Sequence, residues 1–309
     1  MPTSLVYLDN NATTDLDPQV RTLMNLSLKQ FCGNPSSSHT EGTGSRHVLE
    51  TCRKACAQLL TCQPDELYFT SGATEANNIV LQGFIRQALR HGRKPRILCS
   101  PIEHVSVLNP LRHYQDAIEL WECPVGNRST DAPNGYIDPS TVEQLIVAHK
   151  IEWVSVALVN HEIGTIQALQ AIAQAAHRHG AWVHSDYTQA VGKFPVFPEV
   201  DALSFSAHKF YGPKGVGGLM IRSTLRPHLD QLMFGGDQEM QLRPGTENVL
   251  GIVGLTAALE LAVRRRDADH SHLDRLTRRL SLSLQQNHIP YHVHSASNLA
   301  INLSFPQSQ

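Results

Sequence analysis

The chain has 309 residues, of which 41% are hydrophobic and 17% charged, with a formal net charge of −2 at pH 7. This is a globular chain able to bury a large core, in one large domain plus a smaller one. Near-neutral charge gives no electrostatic case for nucleic acid or an anionic membrane, and no apolar run approaches the roughly 20 residues that span a bilayer.

No basic-then-apolar leader precedes Tyr7-Leu8-Asp9, so the expected location is the cytoplasm. The six cysteines, Cys32, Cys52, Cys56, Cys62, Cys99 and Cys123, have no repeated C-x-x-C spacing and are expected as reduced thiols. Cys52 and Cys56 fall at i and i+4 on a predicted helix, but no second pair completes a metal site, and none is expected.

Residues 5–14 predict a short strand and a polar turn, a segment expected to pack rather than to catalyse. Asp17-Pro18 then opens a helix with an aspartate cap and proline at the first position. A loop of Gly, Pro, Asn and Ser at 33–38 leads to an amphipathic helix over about 44–60. Residues 67–70 predict a strand that turns at Ser71-Gly72-Ala73-Thr74 straight into a helix through Ile79, Val80 and Phe84. Backbone N–H groups at such a helix start, with the Thr74 hydroxyl beside them, form a phosphate cradle, although the same residues also make ordinary caps.

The next strand, 96–100, ends at Glu103-His104, and a near-continuous apolar strand over 153–159 ends at Asn160-His161-Glu162. A helix over 168–179 links it to a strand over 182–186, the β-α-β alternation of a doubly wound sheet. That strand delivers Asp186 and Gln189, and the following one, 201–205, delivers Ser206, His208 and Lys209 before a glycine-rich turn at 212–218. Open α/β sheets bind ligands at these strand ends. A lysine there, flanked by hydroxyl and imidazole donors, suits a covalently held phosphorylated aldehyde; an aspartate beside a pyridine nitrogen keeps that ring protonated. The combination points to pyridoxal phosphate (PLP). Loops over 234–239 and 242–247 and a helix over about 249–266 complete the pattern, without an internal repeat.

These segments resemble the cysteine desulfurases of the class V aminotransferase group. The resemblance rests on Y-L-D-N-N-A-T-T (7–14), G-N-P-S-S-S-H (33–39), F-T-S-G-A-T-E-A-N-N (69–78), E-H (103–104), N-H-E-I-G (160–164), H-S-D-Y-T-Q-A-V-G-K (184–193), S-F-S-A-H-K-F-Y-G-P-K-G-V-G-G-L (204–219) and R-P-G-T-E-N (243–248). It implies the α/β PLP-dependent transferase fold type I: a large, mostly parallel, seven-stranded sheet domain over 16–258 and a smaller α+β domain from 1–15 plus 259–309. It implies Lys209, His104 and Asp186 as catalytic residues, with His104 stacking on the ring and assisting proton transfer. Ala73, Thr74, Gln189, Ser206 and His208 join them as PLP ligands, and Thr246 reaches the phosphate of a neighbouring subunit in a homodimer.

Two departures stand out. Counting back from Asp186 without gaps, the family's asparagine beside the cofactor hydroxyl falls on His161. The family's mobile loop with its nucleophilic cysteine, and its carboxylate-binding arginine, match nothing up to Gln309, and none of the six cysteines takes that cysteine's place. The resemblance implies removal of sulfur from L-cysteine, or a similar small amino acid, giving alanine and sulfur bound to the enzyme or to an acceptor protein. A C–S lyase, aminotransferase or epimerase on the same cofactor, or an inactive PLP-binding partner, remain as alternatives.

Overall fold

A computed structural model describes residues 6–30, 33–126 and 133–306. Its helices are α1 (Pro18–Ser27), α2 (Thr40–Leu59), α3 (Ala73–Arg90), α4 (Val105–His113), α5 (Pro139–His149), α6 (Leu169–Arg178) and α7 (Val249–Gln286). Its strands are β1 (Leu67–Thr70), β2 (Arg96–Cys99), β3 (Glu119–Glu122), β4 (Trp153–Ser155), β5 (Trp182–Asp186), β6 (Ala202–Ser206), β7 (Gly217–Ile221), β8 (His292–Val293) and β9 (Leu303–Ser304). Seven strands form one sheet in the order β1-β7-β6-β5-β4-β2-β3; β7 runs antiparallel to both neighbours and the other pairs are parallel.

Helices cover both faces, and strand alternation decides which residue meets which layer. Val183, Leu203 and Phe205 point to one core with residues of α2, α5, α6 and α7. Ala202, Leu219 and Ile221 point to the other, with Ala76, Val80 and Phe84 of α3 and Val107 and Leu111 of α4. His184, Asp186, Ser204 and Ser206 alternate onto that second side, where α3 lies.

The expected elements recur with shifted ends. Asp17 caps α1, its Oδ1 accepting from Gln19 N at 2.8 Å. No strand forms within residues 6–14; that segment crosses the sheet edge instead, with Thr14 N and Oγ1 donating to the His208 carbonyl, each at 2.9 Å. The apolar run after β4 leaves the ladder, and Val159 makes only an isolated bridge to Ile166. α7 extends twenty residues past its expected end at 266, because no Gly or Pro follows Gly254 within it; its fully buried residues nevertheless stop at Leu261. Among the described residues no helix is long and apolar enough to cross a membrane.

Candidate active site

The sheet order brings distant segments to one edge. Asp186 lies opposite Ser204 in the β5–β6 pair, Ser206 opposite Gly217 in β6–β7, and Thr70 opposite Gly217 in β1–β7. The ends of β1, β5 and β6 therefore converge where α3 begins. Gly217 makes the approach possible: a Cβ there would stand 2.3 Å from the Phe205 carbonyl oxygen and 2.6 Å from Gly72 Cα. Here a cleft of about 570 Å³ opens, within the range of small-molecule sites. Ala73, Thr74, His104, His161, Asp186, Gln189, Ser206, His208 and Lys209, scattered over the sequence, all line it.

At the start of α3, Ala73 N donates to Ser206 Oγ at 2.7 Å, and Gly72 caps the helix without a side chain. The 18-residue helix directs the positive end of its dipole at this corner, as an anion requires. His208 Nδ1 lies 3.0 Å from Thr13 Oγ1. Burial, with the nearby Lys209 and Lys214 ammonium groups, holds the His208 pKa below its ordinary value. Lys209 Nζ donates to the Asn11 carbonyl, which also accepts from Gln189 Nε2 at 3.0 Å. Burial lowers the Lys209 pKa, opposed by the charges of Asp186 and Asp9. A larger neutral fraction makes that amine a better nucleophile.

Asp186 is 6% exposed and held through both oxygens: Oδ2 accepts from Asn77 Nδ2 at 2.9 Å and Oδ1 from Thr188 N at 2.9 Å. His104 caps α4, and its Nδ1 accepts from Ser106 N at 3.1 Å. The His161 ring stands edge-on to His104, with centroids 5.4 Å apart and planes at 76°. Burial, then His104, lowers the His161 pKa, so at neutral pH it serves as an uncharged imidazole. Asn160 uses its amide on the turn itself, donating to the Ile102 carbonyl at 2.8 Å and accepting from Glu162 N and Ile163 N at 2.9 and 3.0 Å. That turn presents the next side chain, His161, to the cleft.

Thr246 is the expected site residue that does not line the cleft; it is exposed on its own chain between the positive-φ Gly245 and Asn248, the cap of α7. The five described cysteines also lie elsewhere. Cys52, Cys56, Cys99 and Cys123 are buried and Cys62 is partly so, and burial pushes the thiols of Cys56, Cys62 and Cys123 up to about 12. Cys32 falls outside the described residues. No group of three or more His, Cys, Asp or Glu suited to a metal ion occurs among the described residues.

Sequence reasoning missed Asn11, Asn77, Ser106 and Thr188. Asn11 sits in the segment expected only to pack. Asn77 had a readable signal, a polar residue on the α3 stripe formed by Val80, Leu81 and Phe84, three, four and seven positions on. The Thr188 hydroxyl is buried beside the cleft without a partner, which a bound polar ligand would relieve. A helix start with hydroxyl and imidazole donors, an amine, a buried carboxylate and an imidazole together fit a flat phosphorylated pyridine aldehyde.

Fold and cleft define a PLP-dependent enzyme of fold type I. The family model for aminotransferase class-V matches residues 6–307. Cysteine desulfurase IscS of Dictyoglomus turgidum is 39% identical over 277 residues, covering 88% of this chain and 66% of that protein. A solved structure of a NifS-like protein superimposes with a TM-score of 0.88 at 34% identity, covering 97% of this chain and 81% of that one. The structure of SspA in complex with cysteine gives 0.83 at 29% identity, covering 98% and 84%. The chain belongs to the aminotransferase class-V family and, within it, to the cysteine desulfurase family, whose members depend on PLP. It spans less than two thirds of the length of the curated relatives it matches.

Proposed function

We propose that the protein takes sulfur from L-cysteine, leaving L-alanine and passing the sulfur to an acceptor thiolate as a persulfide. The observation that carries this is the convergence of Lys209, Asp186 and the α3 helix start on one cleft. When bound, PLP supplies an electron sink at the α-carbon of the amino acid. Ser206, His208, Thr74 and the other N–H groups at the α3 start would hold the phosphate, and Gln189 and His161 would hydrogen-bond the ring hydroxyl. Asp186, oriented by its Asn77 and Thr188 donors, would hold a proton on the pyridine nitrogen. Lys209 would anchor the aldehyde, and its Nζ, once freed, would take the α-proton of the amino acid and return it. His104, lining the cleft, would cover the ring and move a proton at its Nε2. The neutral His161 edge narrows the space at the amino-acid end and favours a small substrate. Supporting cysteine as that substrate are the desulfurase relatives and the cysteine complex of the SspA neighbour.

The accepting thiol lies outside the cleft-lining residues described, since no cysteine is among them. For the same reason a second reading stands, a C–S lyase, aminotransferase or epimerase on the same groups. Incubation with PLP and L-cysteine, with and without dithiothreitol, separates them: alanine in step with thiol-dependent sulfur supports desulfuration, whereas pyruvate with sulfide, or D-cysteine, supports the rival.

We further propose a cytoplasmic homodimer in which Thr246 completes the neighbour's phosphate site, consistent with its exposed position off its own cleft. Residues 16–258 form the cofactor domain and 1–15 with 259–309 the smaller one, in keeping with the end of α7 burial at Leu261. Sedimentation mass and loss of PLP affinity in Thr246→Ala test the dimer.

A further inference from the structure

The carboxylate and the imidazole of the cleft are joined beneath it through two side chains, Asn77 and Ser106. Asn77 is 0% exposed and all three of its described side-chain bonds are inside the protein. Its Nδ2 donates to Asp186 Oδ2 and to Ser106 Oγ, each at 2.9 Å, and its Oδ1 accepts from Ser204 Oγ–H. An ionised carboxylate only accepts, so the amide group must face Asp186 with nitrogen; a flipped amide would set two acceptors against each other. Ser106 continues the chain. Its Oγ lies 2.7 Å from His104 Nδ1, and its backbone N–H also points at that nitrogen. A backbone N–H can only donate, so Nδ1 carries the lone pair and His104 bears its proton on Nε2. Because Nδ1 accepts, the Ser106 hydroxyl donates its proton to Nδ1 while Oγ accepts from Asn77.

From this geometry we infer that Asn77 is a positioning residue that couples the Asp186 anion to the His104 imidazole through Ser106. The inference rests on the PLP reading for its functional meaning, although the bonds exist without the cofactor. One amide sets the orientation of the carboxylate that faces the pyridine nitrogen and, through the Ser106 hydroxyl, the ring angle of an imidazole whose tautomer the Ser106 backbone N–H fixes. The two groups are thus held at fixed spacing by an α3 residue that touches neither substrate nor cofactor. β6 locks the other side of the amide through Ser204.

The test perturbs one end and reads the other. In the full chain before PLP loading, Asn77→Ala should shift the ring-nitrogen NMR signals of His104, a residue it does not contact. In the PLP-loaded enzyme kcat should fall about tenfold or more, as expected for losing a hydrogen bond to a charged group, with KM for L-cysteine and PLP affinity within about twofold. If the His104 signals stay in place, or if kcat, KM and PLP affinity fall together with stability, Asn77 is only a packing residue and the inference fails. Ser106→Ala removes a single hydroxyl and serves if Asn77→Ala does not fold. It should shift the pH dependence of the bound-PLP absorbance, which reports the Asp186 end; an unchanged profile with unchanged kcat overturns the coupling. Absence of pyridoxyl on Lys209 in the unmodified protein would count against the PLP reading, while the His104 signals alone still decide the network.

Discussion

Two cavities lie on either side of the Gln189–Lys193 hydrogen bond, and they differ in what their polar groups face. The cleft holds about 570 Å³ and gathers an amine, a carboxylate and imidazoles around open space, with the Thr188 hydroxyl unpartnered beside it. The groove between Phe210, Tyr211 and α7 holds about 230 Å³ and is mostly apolar, and several of its polar groups are bonded to one another. Arg265 bonds Asp17 at 2.6 Å, Arg266 bonds the Gly192 carbonyl at 3.3 Å, and His270 the Lys193 carbonyl at 3.0 Å. Each region has a lysine of lowered pKa. Burial, then the charge of Lys209, takes Lys193 to about 8, yet its Nζ is directed at Gln189 Oε1, 3.3 Å away. An available amine does not make a site; an amine, a carboxylate and imidazoles converging on open space do.

The largest expected effect breaks that comparison if it fails. Borohydride reduction of the PLP-loaded protein followed by peptide mapping should place the pyridoxyl group on Lys209, and Lys209→Ala should remove both the adduct and at least about 10²–10⁴-fold of the activity. Pyridoxyl on Lys193 would mean that amine availability, not the phosphate cradle, chooses the lysine.

Next in size is Asp186→Ala. Removing the charge that holds the pyridine proton should cost about 10²–10³-fold in kcat, while PLP affinity, resting on the phosphate contacts, changes far less. Equal loss of both would make Asp186 structural.

A smaller effect concerns stability beneath the cleft. Glu103 is 5% exposed; burial pushes its pKa from 4.5 up to about 8, and the charge of Asp186 adds to the rise. The folded state keeps a proton that the unfolded chain releases, so the Glu103 contribution is complete below pH 4.5 and is lost as pH rises through about 8. His184 is fully buried beside Trp153 and its pKa falls from 6.5 to about 4, so its contribution is complete above 6.5 and is lost as pH falls through about 4. The two oppose each other over the shared window. Urea midpoints across pH should therefore decline less steeply toward pH 8 in Glu103→Gln and toward pH 4 in His184→Gln. Profiles parallel to the unmodified protein would refute both assignments.

The smallest effect sharpens the contrast from the groove side. Asp17→Ala removes the α1 cap and the Arg265 partner, and should cost about 1 kcal/mol of stability, mainly from the cap, since the Arg265 side chain is 39% exposed. PLP affinity should not change. A loss of affinity would mean that the groove communicates with the cleft.

Much of this was legible along the chain because local chemistry specifies it. Asp17-Pro18 announces a helix by cap and fixed φ, the apolar runs at 153–159 and 201–205 announce strands that the structure keeps over 153–155 and 202–206, and Ala73, Thr74, Asp186 and Lys209 stand near strand ends where such sheets bind ligands. The sequence by itself thus determined most of the element types it named, a mostly parallel sheet, and which strand-end residues, Thr246 apart, line one cleft. It could not determine that residues 6–14 abandon a strand to bring Asn11 against Lys209, because partners nearly 200 residues away decide that path. Nor could it determine that Asn77 joins Asp186 to Ser106 and His104. Those bonds exist only once β5, β6, α3 and α4 are stacked, since a hydrogen bond a few ångströms long is decided by the placement of whole elements and not by the propensities of the residues within them.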